Sequence, residues 1–183
     1  MGNNVDGAAE ADADAVLEAM EIDRMDQEPW SFGEDFTALN RQAIELRYRL
    51  LPYLYTTFAR YVSNGTPVLR SLQFYDQHDP QTFGRELEFL FGQHILVRAI
   101  VEPLNARVPD LKVESATTLL GGPTCELYLP GGNWFDYWTG AQYVGNQILT
   151  VEKSLAKLPI YVRAGAVIPH YPVMQFTGER PVD

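Results

Sequence analysis

The 183-residue chain has 14 Lys and Arg against 24 Asp and Glu, which gives a formal net charge of −10 at pH 7. This acidic balance works against nucleic acid or an anionic membrane as a partner, whereas a neutral sugar remains compatible. A complete (β/α)8 barrel needs about 250 residues and therefore does not fit. The single cysteine, Cys125, excludes an internal disulfide and cannot hold a metal by itself.

Residues 1–25 form an acidic, alanine-rich segment in which no base accompanies the carboxylates up to residue 23. Self-repulsion opposes compaction there, so the pattern predicts a disordered tail. The segment has neither the basic start nor the apolar core of a signal peptide, and no run of about 18 apolar residues follows. We therefore expect a soluble chain. Its location stays open between the cytoplasm and, for the full-length protein, the periplasm or the outside.

Apolar residues recurring every three or four positions predict a long helix from Thr37, a possible N-cap, to Asn64 and Gly65. Pro52 has no N–H and should kink this helix or remove one hydrogen bond. The apolar face is wide enough to imply burial on both sides. Its two stripes are Leu39, Ala43, Leu46, Leu50, Leu54 and Phe58, and Ile44, Tyr48, Leu51, Tyr55 and Val62.

Beyond Pro67 the apolar period changes from 3.6 to about 2, with turn residues between short runs. Short strands at this spacing favour a β-sandwich. The predicted strands are 68–75, 88–91, 94–100, 125–129, 133–138, 147–151, 159–162 and 167–168.

Five motifs occur in a fixed order along residues 24–175, and an ordered set is far more specific than any single motif. This set resembles glycoside hydrolase family 31. The motifs are Asp26-Gln27-Glu28-Pro29-Trp30-Ser31-Phe32-Gly33, Leu46-Arg47-Tyr48-Arg49-Leu50-Leu51-Pro52-Tyr53-Leu54-Tyr55-Thr56, Gly65-Thr66-Pro67-Val68-Leu69-Arg70, Tyr128-Leu129-Pro130-Gly131-Gly132-Asn133-Trp134-Phe135-Asp136-Tyr137-Trp138-Thr139-Gly140 and Pro159-Ile160-Tyr161-Val162-Arg163-Ala164-Gly165-Ala166-Val167-Ile168-Pro169.

The resemblance implies a retaining enzyme of the α-glucosidase or α-xylosidase type, with a (β/α)8 barrel followed by a β-sandwich. The chain is then an α+β fragment: an acidic tail (1–25), the end of the barrel with its last helix (26–66) and a β-sandwich (67–183). In the family, the aspartate nucleophile and the aspartate acid/base lie upstream of the region matched here. We therefore predict no catalytic residue in this chain and a scaffolding role. A further alternative is that the chain is a truncated product without activity.

Candidate substrate-binding residues follow from the same resemblance. Arg24, Asp26, Gln27 and Trp30 belong to a segment that follows the last barrel strand in the family, and barrel active sites lie at the carboxyl ends of the strands. They are predicted to line a sugar pocket. The alternative is structural: backbone hydrogen bonds for the polar side chains, and packing on the barrel wall for Trp30.

Trp134 and Trp138 should point to the same side of a strand and are candidates for stacking on a sugar ring. This suggests a second function, a carbohydrate-binding β-sandwich without catalysis; the alternative role of the two rings is packing.

Three arginines in apolar surroundings should each have a carboxylate or carbonyl partner. They are Arg47, Arg49 and Arg70.

Carboxylates close in sequence do not generally aim at one point, so we expect them to be surface charges, caps or ion-pair partners. The pairs are Asp26 with Glu28, Glu34 with Asp35, and Glu86 with Glu88.

His78, His94 and His170 lack metal-ligand spacings, and we predict neither metal nor cofactor. The expected partner is an α-glucoside or α-xyloside, bound by the complete enzyme; the oligomeric state stays open.

Overall fold

The structure, a computed structural model, describes residues 28–101, 124–176 and 178–179. The fold mixes helix and sheet, and its C-terminal part is rich in sheet. No helix of these residues is both long and apolar enough to cross a membrane. The elements are α1 (Glu34–Arg49), α2 (Leu51–Asn64), β1 (Leu69–Ser71), β2 (Glu88–Phe91), β3 (Ile95–Arg98), β4 (Thr124–Leu129), β5 (Asn133–Asp136), β6 (Gln142–Val144), β7 (Gln147–Glu152) and β8 (Ile160–Arg163), with 3-10 turns at Leu72–Phe74 and Pro80–Thr82.

The predicted helix is present as two consecutive helices. It begins earlier than expected, because Gly33 with φ 95° is the N-cap and the Thr37 hydroxyl lies inside the first turn, donating to the Gly33 carbonyl at 2.8 Å. The break falls at Leu50, two residues before Pro52, which supplies no N–H. The predicted end is confirmed: Gly65 takes a left-handed φ of 72° and its N–H donates to the Tyr61 carbonyl at 2.8 Å.

The strands form two antiparallel sheets, one of six strands in the order β1-β2-β3-β8-β5-β6 and one of two strands, β4-β7. Two predicted strands are wrong and one observed strand was missed. The run 68–75 is a three-residue strand followed by a 3-10 turn, and 167–168 is not a strand. The short strand β6 pairs with β5 and was not predicted, because its three residues are too few to show a period.

Strand β3 is buried along its whole length because the six-stranded sheet is covered on both faces at this strand. Leu96 faces a core cluster shared with the two-stranded sheet, and its neighbours Ile95 and Val97 face the helices. The first cluster contains Leu72, Leu90, Leu96, Leu127, Tyr128, Leu129, Trp134 and Tyr161. The second contains Tyr53, Ile95, Val97 and Ile160, with Leu46 and Leu50 packed against it.

Tyr53 attaches α2 to the six-stranded sheet. Its side chain is 5% exposed, and its hydroxyl donates to the Phe91 carbonyl at 2.9 Å and accepts from the His94 N–H at 3.2 Å. Burial raises the pKa of this hydroxyl above its ordinary value. Gly92, with φ 65°, permits the close approach, because a Cβ there would lie 2.3 Å from the Tyr53 oxygen.

We expect Tyr53→Phe to lower the free energy of unfolding of the chain by about 1–3 kcal/mol, since it leaves the Phe91 carbonyl and the His94 N–H without their partner. Tyr55→Phe is the matched control and should change it by less than about 0.5 kcal/mol, because Tyr55 is 80% exposed. Urea denaturation measures both. Equal effects of the two substitutions would contradict the docking role of Tyr53.

A second prediction concerns alkaline pH. Burial, followed by the hydrogen bond to Asp79 and its charge, raises the pKa of Tyr128 to about 12. An unfolded tyrosine ionises near pH 10, so stability present below pH 10 should be lost as the pH rises toward 12. Urea denaturation at several pH values should show a smaller loss for Tyr128→Phe than for the original chain. An unchanged loss in that variant would refute the assignment.

Candidate functional site

The segment that leads into α1 contains the sugar-pocket candidates. Arg24, Asp26 and Gln27 lie outside the described residues. Trp30 is 67% exposed, in a turn closed by the Ser31 N–H donating to the Glu28 carbonyl at 2.9 Å. This turn is tied to α1 because the Asn40 side chain donates to the Pro29 carbonyl at 2.8 Å. The indole of Trp30 is thus presented to solvent at the N-terminal end of α1.

The two predicted sugar-stacking tryptophans lie in different environments. Trp134 on β5 is 0% exposed, and its Nε1–H donates to the Pro130 carbonyl at 2.8 Å. The alternation predicted through Trp138 is wrong, because β5 ends at Asp136. The Asp136 carboxylate accepts from the N–H groups of Trp138 at 2.9 Å and Thr139 at 2.7 Å, which turns the chain. Trp134 therefore offers a sugar no ring face in this structure.

Trp138 instead forms a wall of a groove of about 370 Å³ between α1 and the loop joining β7 to β8, here called the Trp138 groove. Its indole N–H donates to the Leu158 carbonyl at 2.7 Å, and its ring meets Tyr137 edge-on at 5.1 Å between centroids. Glu45 and Arg49 line the α1 side. An aromatic wall with charged side chains opposite is compatible with a sugar contact.

The helices also present an apolar surface that no other described element covers, here called the outer helix face. Three of its members belong to the second predicted stripe and Phe58 belongs to the first, whereas Leu46 and Leu50 of the first stripe pack toward the sheet. Tyr55 and Val62 are 80% and 82% exposed. Contiguous exposed apolar side chains of this kind mark interaction surfaces. Its exposed members are Ile44, Tyr55, Phe58 and Val62.

Three of the described carboxylates occupy positions that stabilise the fold. Glu34 and Asp35 lie exposed in the first turn of α1, where negative charge is favourable. Glu88 is buried; it pairs with Arg85 at 3.3 Å and accepts from the Tyr128 N–H at 3.2 Å. Burial raises the pKa of Glu88, and the charge of Arg85 opposes that rise. Within the described ranges, no group of three or more His, Cys, Asp or Glu is placed to hold a metal ion.

A second cavity, of about 260 Å³, lies between α2 and the turn joining β2 to β3. We call it the arginine cavity, because Arg60 and Arg70 line it together with Tyr53, Gln93 and His94. The prediction that Arg70 has a carboxylate or carbonyl partner is confirmed, because its Nε–H donates to the Pro67 carbonyl at 2.7 Å. Sequence reasoning did not find this site, because its residues come from α2, β1 and a turn, with no spacing that links them.

Comparisons with known proteins give the class of the chain. The model described as "Glycosyl hydrolase family 31 C-terminal domain" matches residues 65–168, and the one described as "Glycosyl hydrolases family 31 TIM-barrel domain" matches residues 17–57. Both are domains of glycoside hydrolases, and the first covers more than half of the chain. The chain belongs to glycosyl hydrolase family 31. The barrel match begins inside the segment that we predicted as a tail.

Individual relatives agree with this assignment. The chain is similar to alpha-glucosidase 2 of Bacillus thermoamyloliquefaciens, at 37% identity over 142 residues, or 78% of this chain and 16% of that protein. It is 31% identical to an alpha-xylosidase of Saccharolobus solfataricus over 144 residues, covering 78% and 17%. A solved Flavobacterium johnsoniae family 31 dextranase complexed with isomaltotriose matches with a TM-score of 0.70 and 34% identity, covering 84% of this chain and 17% of that one.

The chain thus spans about a sixth of the length of these curated relatives.

We expect Trp134 to be protected from collisional quenching, because acrylamide must contact an indole to quench it and this ring is buried. In the double variant Trp30→Phe, Trp138→Phe, only Trp134 emits. Its quenching constant should be several-fold lower in the folded chain than in urea. The variant Trp134→Phe, Trp138→Phe, which retains the exposed Trp30, is the control. Equal quenching of the two folded variants would mean that the Trp134 ring is accessible to a sugar.

Proposed function

We propose that this chain forms the C-terminal part of a retaining glycoside hydrolase that cleaves α-glucosidic or α-xylosidic bonds, and that its own role is to scaffold the catalytic domain. The observation that carries the proposal is the pair of consecutive family matches, 17–57 and 65–168. The named activities of the relatives, alpha-glucosidase and alpha-xylosidase, support the substrate class.

In this proposal residues 26–66 are the end of a (β/α)8 barrel, with α1 and α2 as its last helix, and residues 67–183 are a β-sandwich. Residues 1–25 remain an expected acidic tail. The two-faced helix supports this arrangement: Tyr53 docks one side on the sheet, and the outer helix face points away from it with Tyr55 and Val62 exposed. A neighbouring barrel element would bury that face.

Retaining hydrolysis needs two carboxyl groups about 5–5.5 Å apart, one as nucleophile and one as acid and base. We propose that two aspartates on barrel strands outside this chain supply them. Glu88 pairs with Arg85 and accepts a hydrogen bond from the Tyr128 N–H, which supports a structural role for this carboxylate.

Arg24, Asp26, Gln27 and Trp30 are proposed to line the sugar pocket. The segment that contains them runs directly into the N-terminal end of α1, and the first residues of a barrel helix lie near the active-site rim. The exposed indole of Trp30 supports this role, because an accessible ring face is what sugar stacking requires.

The alternative function, a carbohydrate-binding module without catalysis, has one observation in its favour. Trp138 borders a groove together with Glu45 and Arg49, and an aromatic ring beside polar side chains suits a sugar contact. Saturable quenching of emission by isomaltotriose in the Trp30→Phe chain, lost in Trp30→Phe, Trp138→Phe, would support it. Absence of any such response would remove it.

The test of the main proposal is complementation. The 183-residue chain alone should not hydrolyse p-nitrophenyl α-glucoside. We expect turnover when it is co-expressed with the preceding portion of the Bacillus thermoamyloliquefaciens alpha-glucosidase 2, a 37% identical relative whose own matching region is deleted. Turnover by the chain alone would overturn the proposal.

The same assay tests the outer helix face. Val62→Asp places a charge on the exposed apolar stripe and should reduce complementation at least tenfold, because burying an unpaired carboxylate is unfavourable. Ser63→Asp is the matched control, since residue 63 lies about 100° round the helix from residue 62. Co-purification of the two parts separates lost assembly from lost catalysis. Equal loss in both variants would show that this stripe is not the contact.

A further inference from the structure

The arginine cavity contains buried polar atoms that the described part of the chain leaves without partners. Arg70 is 7% exposed, and while its Nε–H donates to Pro67, its Nη2 has no acceptor. The Nδ1 atom of His94 is likewise buried without a partner. Buried polar groups in folded proteins are nearly always hydrogen-bonded, so orphaned groups at one cavity indicate an absent ligand group.

The charged side chains that line the cavity are all positive. The residues that line it include Arg60 and Arg70, and none of them is an aspartate or glutamate. The Arg60 guanidinium donates to the neutral Gln93 side chain, and no carboxylate of the described residues forms an ion pair with it. Burial lowers the pKa of Arg70; Tyr53 opposes this shift, and the nearby charge of Arg60 adds to it. A buried guanidinium facing a second cation is costly unless a negative group joins it.

We propose that the arginine cavity binds an oxyanion of the carboxylate or phosphate type, held by the guanidinium of Arg70, with Arg60 and the His94 ring contributing from the sides. Two N–H groups of a guanidinium match two oxygens of a carboxylate or phosphate, which is why arginine recognises these groups better than lysine does. The cavity volume of about 260 Å³ is far above what one water molecule needs.

The surrounding structure holds this site in place before any ligand arrives. Tyr53 bonds both sides of the β2–β3 turn through Phe91 and His94, and Gly92 allows the close contact. The turn therefore fixes Gln93 and His94 against α2. The cavity lining shares no residue with the proposed sugar pocket, because it comes from α2, β1, the β2–β3 turn, Val167 and Pro169.

The experiment uses the full 183-residue chain and two probes, sodium phosphate and sodium acetate, titrated against chloride at constant ionic strength. The NMR signals of the Arg70 Nε–H and the His94 ring report binding. We expect saturable shifts of both, together with a rise in the pKa of His94. Burial, followed by the charges of Arg60, Arg163 and Arg70, lowers the pKa of His94. Tyr53, Thr57 and Gln93 are neutral groups that line the cavity beside it. A bound anion favours the imidazolium.

The two probes distinguish the source of the ligand. Acetate binding as tightly as phosphate would indicate a carboxylate, such as that of another protein segment. Phosphate binding at least tenfold more tightly would indicate free phosphate or a phosphate ester. Either result supports the site, and no saturable shift with either probe would overturn it.

Three variants test the residues. Arg70→Lys keeps the positive charge but loses the planar guanidinium, and it should weaken anion binding at least tenfold. Arg60→Gln removes a charge that is exposed to solvent, so it should have the smaller effect and weaken binding several-fold. Arg41→Gln on α1, an exposed arginine outside the cavity lining, should leave binding unchanged. Amide spectra matching the original chain show that each variant is folded. Unchanged binding in both cavity variants, or equal weakening in all three, would refute the assignment.

Discussion

The structure depends on a sheet that must be covered on both faces. Strand β3 is buried throughout, so the fold needs the two-stranded sheet on one side and the helices on the other. The Tyr53 hydroxyl makes the second contact specific, because it bonds a carbonyl and an N–H of the same turn. Apolar burial supplies the attraction between layers, and this polar contact fixes where α2 sits along the sheet.

Fixing α2 in this way gives the helix two surfaces with different roles. The inward surface belongs to the core with Ile95 and Ile160, whereas the outward surface keeps Tyr55 and Val62 in solvent. In an isolated globular domain such a stripe is unfavourable for solubility. In the proposed hydrolase it becomes the joint with the barrel, so a single helix belongs to the hydrophobic cores of two domains.

Sequence periodicity was sufficient to predict those helices and strands in which apolar residues recur at regular spacing. It predicted the helix and its end at Gly65, and the strands at 88–91 and 147–151 lie within a residue of those observed. It failed where one side chain redirects the chain, as Asp136 does by capping the turn that takes Trp138 off its strand. It also missed the arginine cavity, because no sequence spacing shows that Arg60 of α2 and His94 of the β2–β3 turn come to lie beside Arg70. The residues before Glu28 remain predictions.

The sequence positions of the helix-facing cluster have a consequence for biosynthesis. Ile160 contacts the same cluster as Tyr53, although it lies roughly a hundred residues later in the chain. A ribosome therefore releases α2 well before the strand that completes its cover has been translated. During that interval the inward side of the helix has only the β3 part of its cluster to pack on, and its outward side is exposed. The nascent polypeptide therefore presents an amphipathic segment of the kind that chaperones shield.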